Sequence, residues 1–219
     1  MIKVTGRSNK LSSLIFHTDE TQAFVATDTL AVASHDKRPL NFTTKAHILP
    51  HLRMIIAGTG AGGFLDDWLV KVNGGIVSTG IDNLSEHTPG NLAAIWAKSG
   101  AVAGQSPTTT VYHFGFSENT GLIHSYAYRS TNGFRAERLP YALGAKPGCT
   151  MPSVYNLPED IKPMMDEQRA IQAALPESER IFIGGEIQIH HLTEDGFRVF
   201  THAEFDDFEL DKKVILGRF

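Results

Sequence analysis

Phe24-Val25-Ala26-Thr27-Asp28-Thr29-Leu30-Ala31, then Lys45, then Met54-Ile55-Ile56-Ala57-Gly58-Thr59-Gly60-Ala61-Gly62-Gly63 is the stretch that decides how this chain is read. An apolar strand ends in an acid, a cation follows about one strand-pair later, and a second apolar strand opens into a glycine-rich turn. Such parts suit a nucleophile served by a paired acid and base, with backbone N–H groups for an oxyanion.

Working outward, Leu14-Ile15-Phe16-His17, a polar turn over 18–21 and the run 23–27 predict a hairpin. Short strands are expected at 46–49 and 54–57, broken by Pro50. After the glycine turn, Phe64, Leu65, Trp68, Leu69 and Val72 recur at helical spacing. Thr88-Pro89 reads as the N-cap and first position of a second helix that stops at Gly100. The period then changes to strands, 110–116, 122–128 and 134–139, an antiparallel meander. A loop with three prolines covers 146–160. A helix over 161–175 follows, with Met165, Ala170 or Ile171, and Ala174 inward. A last hairpin, 180–191 with 196–203, turns at Glu194-Asp195-Gly196. Strands, helices, strands, helix and strands in this order predict an α+β protein: two antiparallel sheets with helices packed outside.

Length and composition narrow the classes. The chain has 219 residues, 42% hydrophobic and 20% charged, so one domain with a sizeable core is expected. A net charge of −4 without a Lys/Arg run argues against a nucleic-acid partner. No apolar run approaches a membrane span, and Met1-Ile2-Lys3-Val4-Thr5-Gly6-Arg7 has no apolar core of a signal peptide. One cysteine, Cys149, forms no disulfide framework and suits a reducing, cytoplasmic setting.

The pattern apolar-Val-Ala-x-Asp-x-x-Ala over 24–31, Lys45 some sixteen residues later, and the Gly/Thr/Ala-rich turn after Ile55-Ile56-Ala57 resemble the proteasome-type N-terminal-nucleophile (Ntn) hydrolases. That family includes the 20S proteasome subunits and the peptidase subunit of the bacterial ATP-dependent protease. Ile183-Gly184-Gly185-Glu186-Ile187 and the turn Glu194-Asp195-Gly196-Phe197 extend the likeness, which covers roughly residues 12–203. The resemblance implies a four-layer αββα sandwich in one domain, 1–219, with 1–11 as a segment before the first core strand. It implies Ser12 as nucleophile, Asp28 and Lys45 as its polar partners, and Gly60 or Gly62 as oxyanion donor. It also implies a homo-oligomer, a peptide or amide substrate, and no cofactor.

Three stretches depart from the family pattern. Leu11 stands where self-cleaving members usually have glycine. Gly144-Ala145-Lys146 stands for Gly-Ser-Gly, and Arg180-Ile181-Phe182-Ile183 for Asp-x-x-Ser. The expectation is a diverged, catalytically silent or weak protein acting as an oligomeric assembly or binding module. The other reading is an autoprocessed peptidase whose N-terminal nucleophile is Ser12. In that case Lys45→Ala should abolish hydrolysis and leave the fold nearly intact.

A different class is open through the same turn. Gly58-Thr59-Gly60-Ala61-Gly62-Gly63 fits G-x-G-x-x-G, and a strand over 76–80 would bring Asp82 to a dinucleotide ribose. The antiparallel hairpins that follow do not fit that architecture. His190 and His191 are strand neighbours facing opposite sides, so no shared metal is expected. Cys149 reads as a loop thiol, Asp66-Asp67 as complements to a helix N-terminus, and Trp68 and Trp96 as core or helix-interface residues.

Overall fold

The computed structural model describes residues 8–9, 12–33, 36–99 and 108–217. In chain order the strands and helices are β1 (Ser8–Asn9), β2 (Leu14–Thr18), β3 (Ala23–Asp28), β4 (Leu30–Ala33), β5 (Pro39–Phe42), β6 (Ala46–Leu49), β7 (Met54–Thr59), α1 (Phe64–Gly75), α2 (Ile81–Ser99), β8 (Thr110–Phe116), β9 (Ile123–Arg129), β10 (Ala136–Arg138), β11 (Leu143–Lys146), α3 (Ile161–Ala173), β12 (Glu186–Thr193), β13 (Gly196–Glu204) and α4 (Phe208–Leu216). One five-stranded sheet runs β11-β2-β3-β12-β13 and another β10-β9-β8-β7-β6, with a small sheet β1-β4-β5 beside them. Among the described residues every strand pair is antiparallel. The class is α+β, as the order of elements predicted.

Alternation along the strands sorts the core into three clusters. Leu14, Ala23 and Val25 of the first sheet meet Ile55, Ala57, Tyr112 and Phe114 of the second. On the other side of the second sheet, Met54, Ile56, Val111 and Tyr128 pack with Phe64, Trp68 and Val72 of α1 and Ile81, Leu84 and Leu92 of α2. Ile15, Phe24, Ala26 and Ile189 face Ile161, Met164 and Met165 of α3. Burying such apolar surface, at roughly 25 cal/mol per Å2, drives the assembly of these elements.

Several expectations are corrected. The second helix begins at Ile81, not at Thr88, and Thr88-Pro89 lies inside it. Its start is fixed by Glu118 in the β8–β9 turn, whose carboxylate accepts the backbone N–H of Asp82 (3.1 Å) and Asn83 (2.6 Å). Inside the helix the Thr88 hydroxyl donates back to the Leu84 carbonyl at 2.7 Å. Gly100, the expected stop, lies outside the described residues. No strand forms over 76–80. Residues 143–146, partly assigned to a loop, form β11 against β2.

The last hairpin starts at Glu186 rather than at 180. Its expected first residues spend their polar groups elsewhere: Arg180 donates to the carbonyls of Ala173 (2.8 Å) and Leu175 (3.0 Å), and Ile181 N–H to Gln172 (2.9 Å). The inward face of α3 is Ile161, Met164, Met165, Gln168 and Gln172, while Ala170, Ile171 and Ala174 are exposed. Two buried glutamines on that stripe displaced the apolar register read from spacing alone. Helix α4 and the β4–β5 hairpin were not anticipated.

Candidate functional site

Asp28 ends β3 with no exposure to solvent, so its carboxylate needs donors from the protein. It has three. Oδ1 accepts from Ser13 N–H at 2.9 Å and from the Lys45 ammonium at 2.7 Å, and Oδ2 accepts from Gly184 N–H at 3.1 Å. Lys45, immediately before β6 and 1% exposed, also donates to the Leu30 carbonyl at 2.7 Å. Burial pushes the Asp28 carboxyl above its ordinary value, opposed by the Lys45 charge and by the two amides. The pair thus links β3, the start of β6, the residue before β2 and the Gly184-Gly185 turn at one point.

Ser12 sits next to Ser13 and is buried, and its Oγ has no hydrogen-bond partner among the described residues. The Ser13 hydroxyl donates to Gln168 of α3, whose amide in turn donates to the Pro147 carbonyl. The bond before Ser12 involves Leu11, which lies outside the described residues.

The glycine turn closes the other side. Lys45, Gly58, Gly60, Ala61 and Thr109 line a small cleft. Gly60 has φ +107°, and a Cβ there would stand 2.1 Å from the Thr108 carbonyl oxygen. Glycine is therefore required by both backbone conformation and space, which leaves main-chain groups at the cleft wall. Asp28 and Lys45 touch directly, Ser12 adjoins a ligand of Asp28, and Gly60 shares a cleft with Lys45.

Sequence reasoning missed Ser13, Gln168, the Leu30 carbonyl and Lys146. Gly184-Gly185 was visible as a motif, though not as a donor to Asp28. Lys146 of β11 donates to Thr110 Oγ1 at 2.6 Å, and burial together with the nearby Arg129 guanidinium holds its amine down at about 8.

Asp82 belongs to a separate cluster. It accepts from His124 Nδ1 (2.6 Å), Tyr126 OH (2.8 Å), Ser117 Oγ (2.6 Å) and Asn119 Nδ2 (3.2 Å). Burial raises its carboxyl, and these hydrogen bonds outweigh that and bring it to about 2. With its oxygens committed to the β8–β9 hairpin and no strand at 76–80, the dinucleotide geometry is not formed. His191 Nε2 pairs with Gln22 at 2.8 Å. Cys149 lies in the loop after β11, half-buried, with burial and then Glu167 raising its thiol.

Comparison with protein-family models and with curated proteins finds no match. Among the described residues, no helix is long and apolar enough to cross a membrane.

Proposed function

We propose that this chain is an amide-bond hydrolase of the proteasome-like Ntn type, a four-layer αββα sandwich with Ser12 as its nucleophile. The observation that carries this reading is Lys45, whose amine donates at 2.7 Å to both Asp28 Oδ1 and the Leu30 carbonyl. Holding a lysine dry at one point in this way costs several kcal/mol of desolvation per ion, and a strand-to-strand connection does not need it. Ser12 Oγ attacks the carbonyl carbon, and backbone N–H groups of the Gly60 turn receive the oxyanion, a contribution typically of about 3–4 kcal/mol. The Lys45 charge favours the ionised hydroxyl, and Asp28 fixes that charge. Cleavage of the Leu11–Ser12 bond would give Ser12 its own base, an α-amino group titrating at about 7.7–8.0.

A second reading has its own observation. The residues at the family's supporting positions carry structural duties here: Arg180 closes the C-terminal end of α3, Ile183 is buried in the core cluster that includes Ile187 and Met165, and Ala145 packs on the same cluster. This favours a silent module that assembles with copies of itself. Intact mass together with a serine-directed fluorophosphonate separates the two. Label on Ser12 supports the hydrolase, and an unlabelled, folded chain supports the module.

A further inference from the structure

We propose that Lys146 is the general base for Ser12, so that the site works without a free α-amino group on that serine. The inference rests on the hydrolase reading above and deepens it.

Register and strand alternation put Lys146 on the same face and at the same end of the first sheet as Ser12. In the β11–β2 pair Lys146 lies opposite Leu14, two residues from Ser12. Leu14 faces the second sheet, Ser13 reaches α3 on the opposite face, and Ile15 packs there as well. By strand alternation Ser12 therefore faces the second sheet, as Leu14 and its cross-strand neighbour Lys146 do. Diagonal neighbours of this kind lie about 7–8 Å apart, within reach of a long side chain.

The far end of Lys146 is anchored where the chemistry is needed. Its Nζ donates to Thr110 Oγ1, Thr110 pairs with Thr59 across β8–β7, and Thr59 and Thr109 both line the cleft that holds Lys45 and Gly60. At the same end, Ser12 Oγ, Thr27 Oγ1 and Thr59 Oγ1 are buried without a hydrogen-bond partner among the described residues.

The electrostatics suit a neutral amine. Arg129, opposite Thr110 on β9, faces Lys146, and Glu137 on β10 holds Arg129 at 2.9 Å; Tyr112 lies beside Arg129. Among the described residues, the Asp28–Lys45 pair forms a buried ion pair of its own. An amine titrating at about 8 takes up a proton near neutral pH without excessive driving force.

In the forward step the Ser12 hydroxyl proton passes to the Lys146 lone pair while Oγ bonds to the amide carbon. The ammonium then returns the proton to the departing amine as the C–N bond breaks, leaving an ester on Ser12. Water then attacks that ester as Lys146 takes its proton, and the ammonium returns the proton to Ser12 Oγ as the ester C–O bond breaks, releasing the acid and restoring the enzyme.

The test is labelling of the full chain by a fluorophosphonate, in which the P–O bond forms at Ser12 and fluoride leaves. The expected result is label on the unshortened chain at a rate that climbs with pH through about 8. Lys146→Gln, and Lys146→Arg with its charge retained, should each slow labelling by about 100-fold or more. Variants labelled at the unmutated rate overturn the role of Lys146 and leave the Ser12 site standing. Label confined to a chain lacking residues 1–11 assigns the base to the α-amino group and overturns it too. A rate flat between about pH 6.5 and 9.5 in the unmutated chain does the same without any variant. No label on Ser12 in the unmutated chain removes the hydrolase reading, and the inference with it.

Discussion

Replacing Lys45 by methionine tests whether the buried pair is built as described. The substitution keeps most of the side-chain volume and removes the charge. It leaves the Asp28 carboxylate at zero exposure with only the Ser13 and Gly184 amides, and strips the Leu30 carbonyl of its 2.7 Å donor. Removing one partner of a buried ion pair costs about 3–5 kcal/mol, so the expectation that Lys45→Ala spares the fold is withdrawn. Without the ammonium, burial dominates the Asp28 carboxyl and raises its folded-state value further above the unfolded one. A carboxyl raised on folding penalises the native state at pH above its folded value, and the penalty fades as pH falls through that value. The deficit of Lys45→Met should therefore shrink on acidification by up to about 1.4 kcal/mol per pH unit. Urea unfolding followed by circular dichroism at several pH values between about 7.5 and 5 reads both quantities. A loss under about 1 kcal/mol at pH 7.5, or a deficit independent of pH, would refute the buried charge pair.

Other outcomes follow from single contacts. His113 is fully buried, accepts from Trp68 Nε1 at 3.0 Å, and is held down at about 3 by burial. A histidine depressed on folding contributes stability that is present above its unfolded value and lost as pH falls below about 6.5. His113→Gln should flatten the acid limb by up to about 1.4 kcal/mol per unit, measured by urea unfolding of both proteins between about pH 6.5 and 4. Glu118→Ala removes the cap from two N–H groups of α2 and should cost about 1–2 kcal/mol, read as a lowered midpoint at unchanged m-value. Gly60→Ala drives a methyl to 2.1 Å from the Thr108 carbonyl at a φ of +107°. Strain of that kind costs about 1–3 kcal/mol, so its Tm should fall by several degrees; an unchanged Tm would contradict the backbone placed there.

The parts of the fold that were legible in sequence are those whose cause is local. The β2–β3 hairpin, α1 and the β8–β9–β10 meander follow from alternation, helical spacing and turn residues within a few positions. The start of α2 was not legible, because Glu118, which fixes it, is 36 residues from Asp82. The inward face of α3 was misread for a related reason. Gln168 and Gln172 are buried only because Ser13 and Ile181 supply partners from other segments, and no periodicity of apolar residues signals that. The site divides in the same way. Asp28, Lys45 and Gly60 could be picked out because an acid ending an apolar strand, a distant cation and a glycine turn stand out in sequence. Ser13 N–H, the Leu30 carbonyl and Gly184 N–H contribute backbone atoms, which carry no identity in a sequence. Lys146 was hidden by its assignment to a loop, since only the β11–β2 register turns it toward the neighbourhood of Ser12.

The candidate site and the centre of the fold are the same atoms, which constrains how function can be tested. Asp28 joins four segments through contacts of 2.7–3.1 Å, so loss of activity in Asp28 or Lys45 variants would follow from misfolding as readily as from lost chemistry. Lys146 differs, being only part-buried, with its Nζ bonded to one side-chain hydroxyl at 2.6 Å. Exchanging it for arginine keeps a long cation near Thr110 and removes an amine able to accept a proton near neutral pH. Ser12→Ala is similarly mild, because its hydroxyl has no partner among the described residues to lose. Burying a hydroxyl without a hydrogen bond costs about 1–3 kcal/mol by mutational measures, so Ser12→Ala should leave stability unchanged or raise it, measured by urea unfolding. A stabilised, unlabelled Ser12→Ala protein beside a labelled parent is the signature of a serine kept for reactivity at the expense of stability. A Ser12→Ala protein destabilised by more than about 1 kcal/mol would show that the hydroxyl is a structural bond, and would place Ser12 with Ser13 among the residues that hold Asp28.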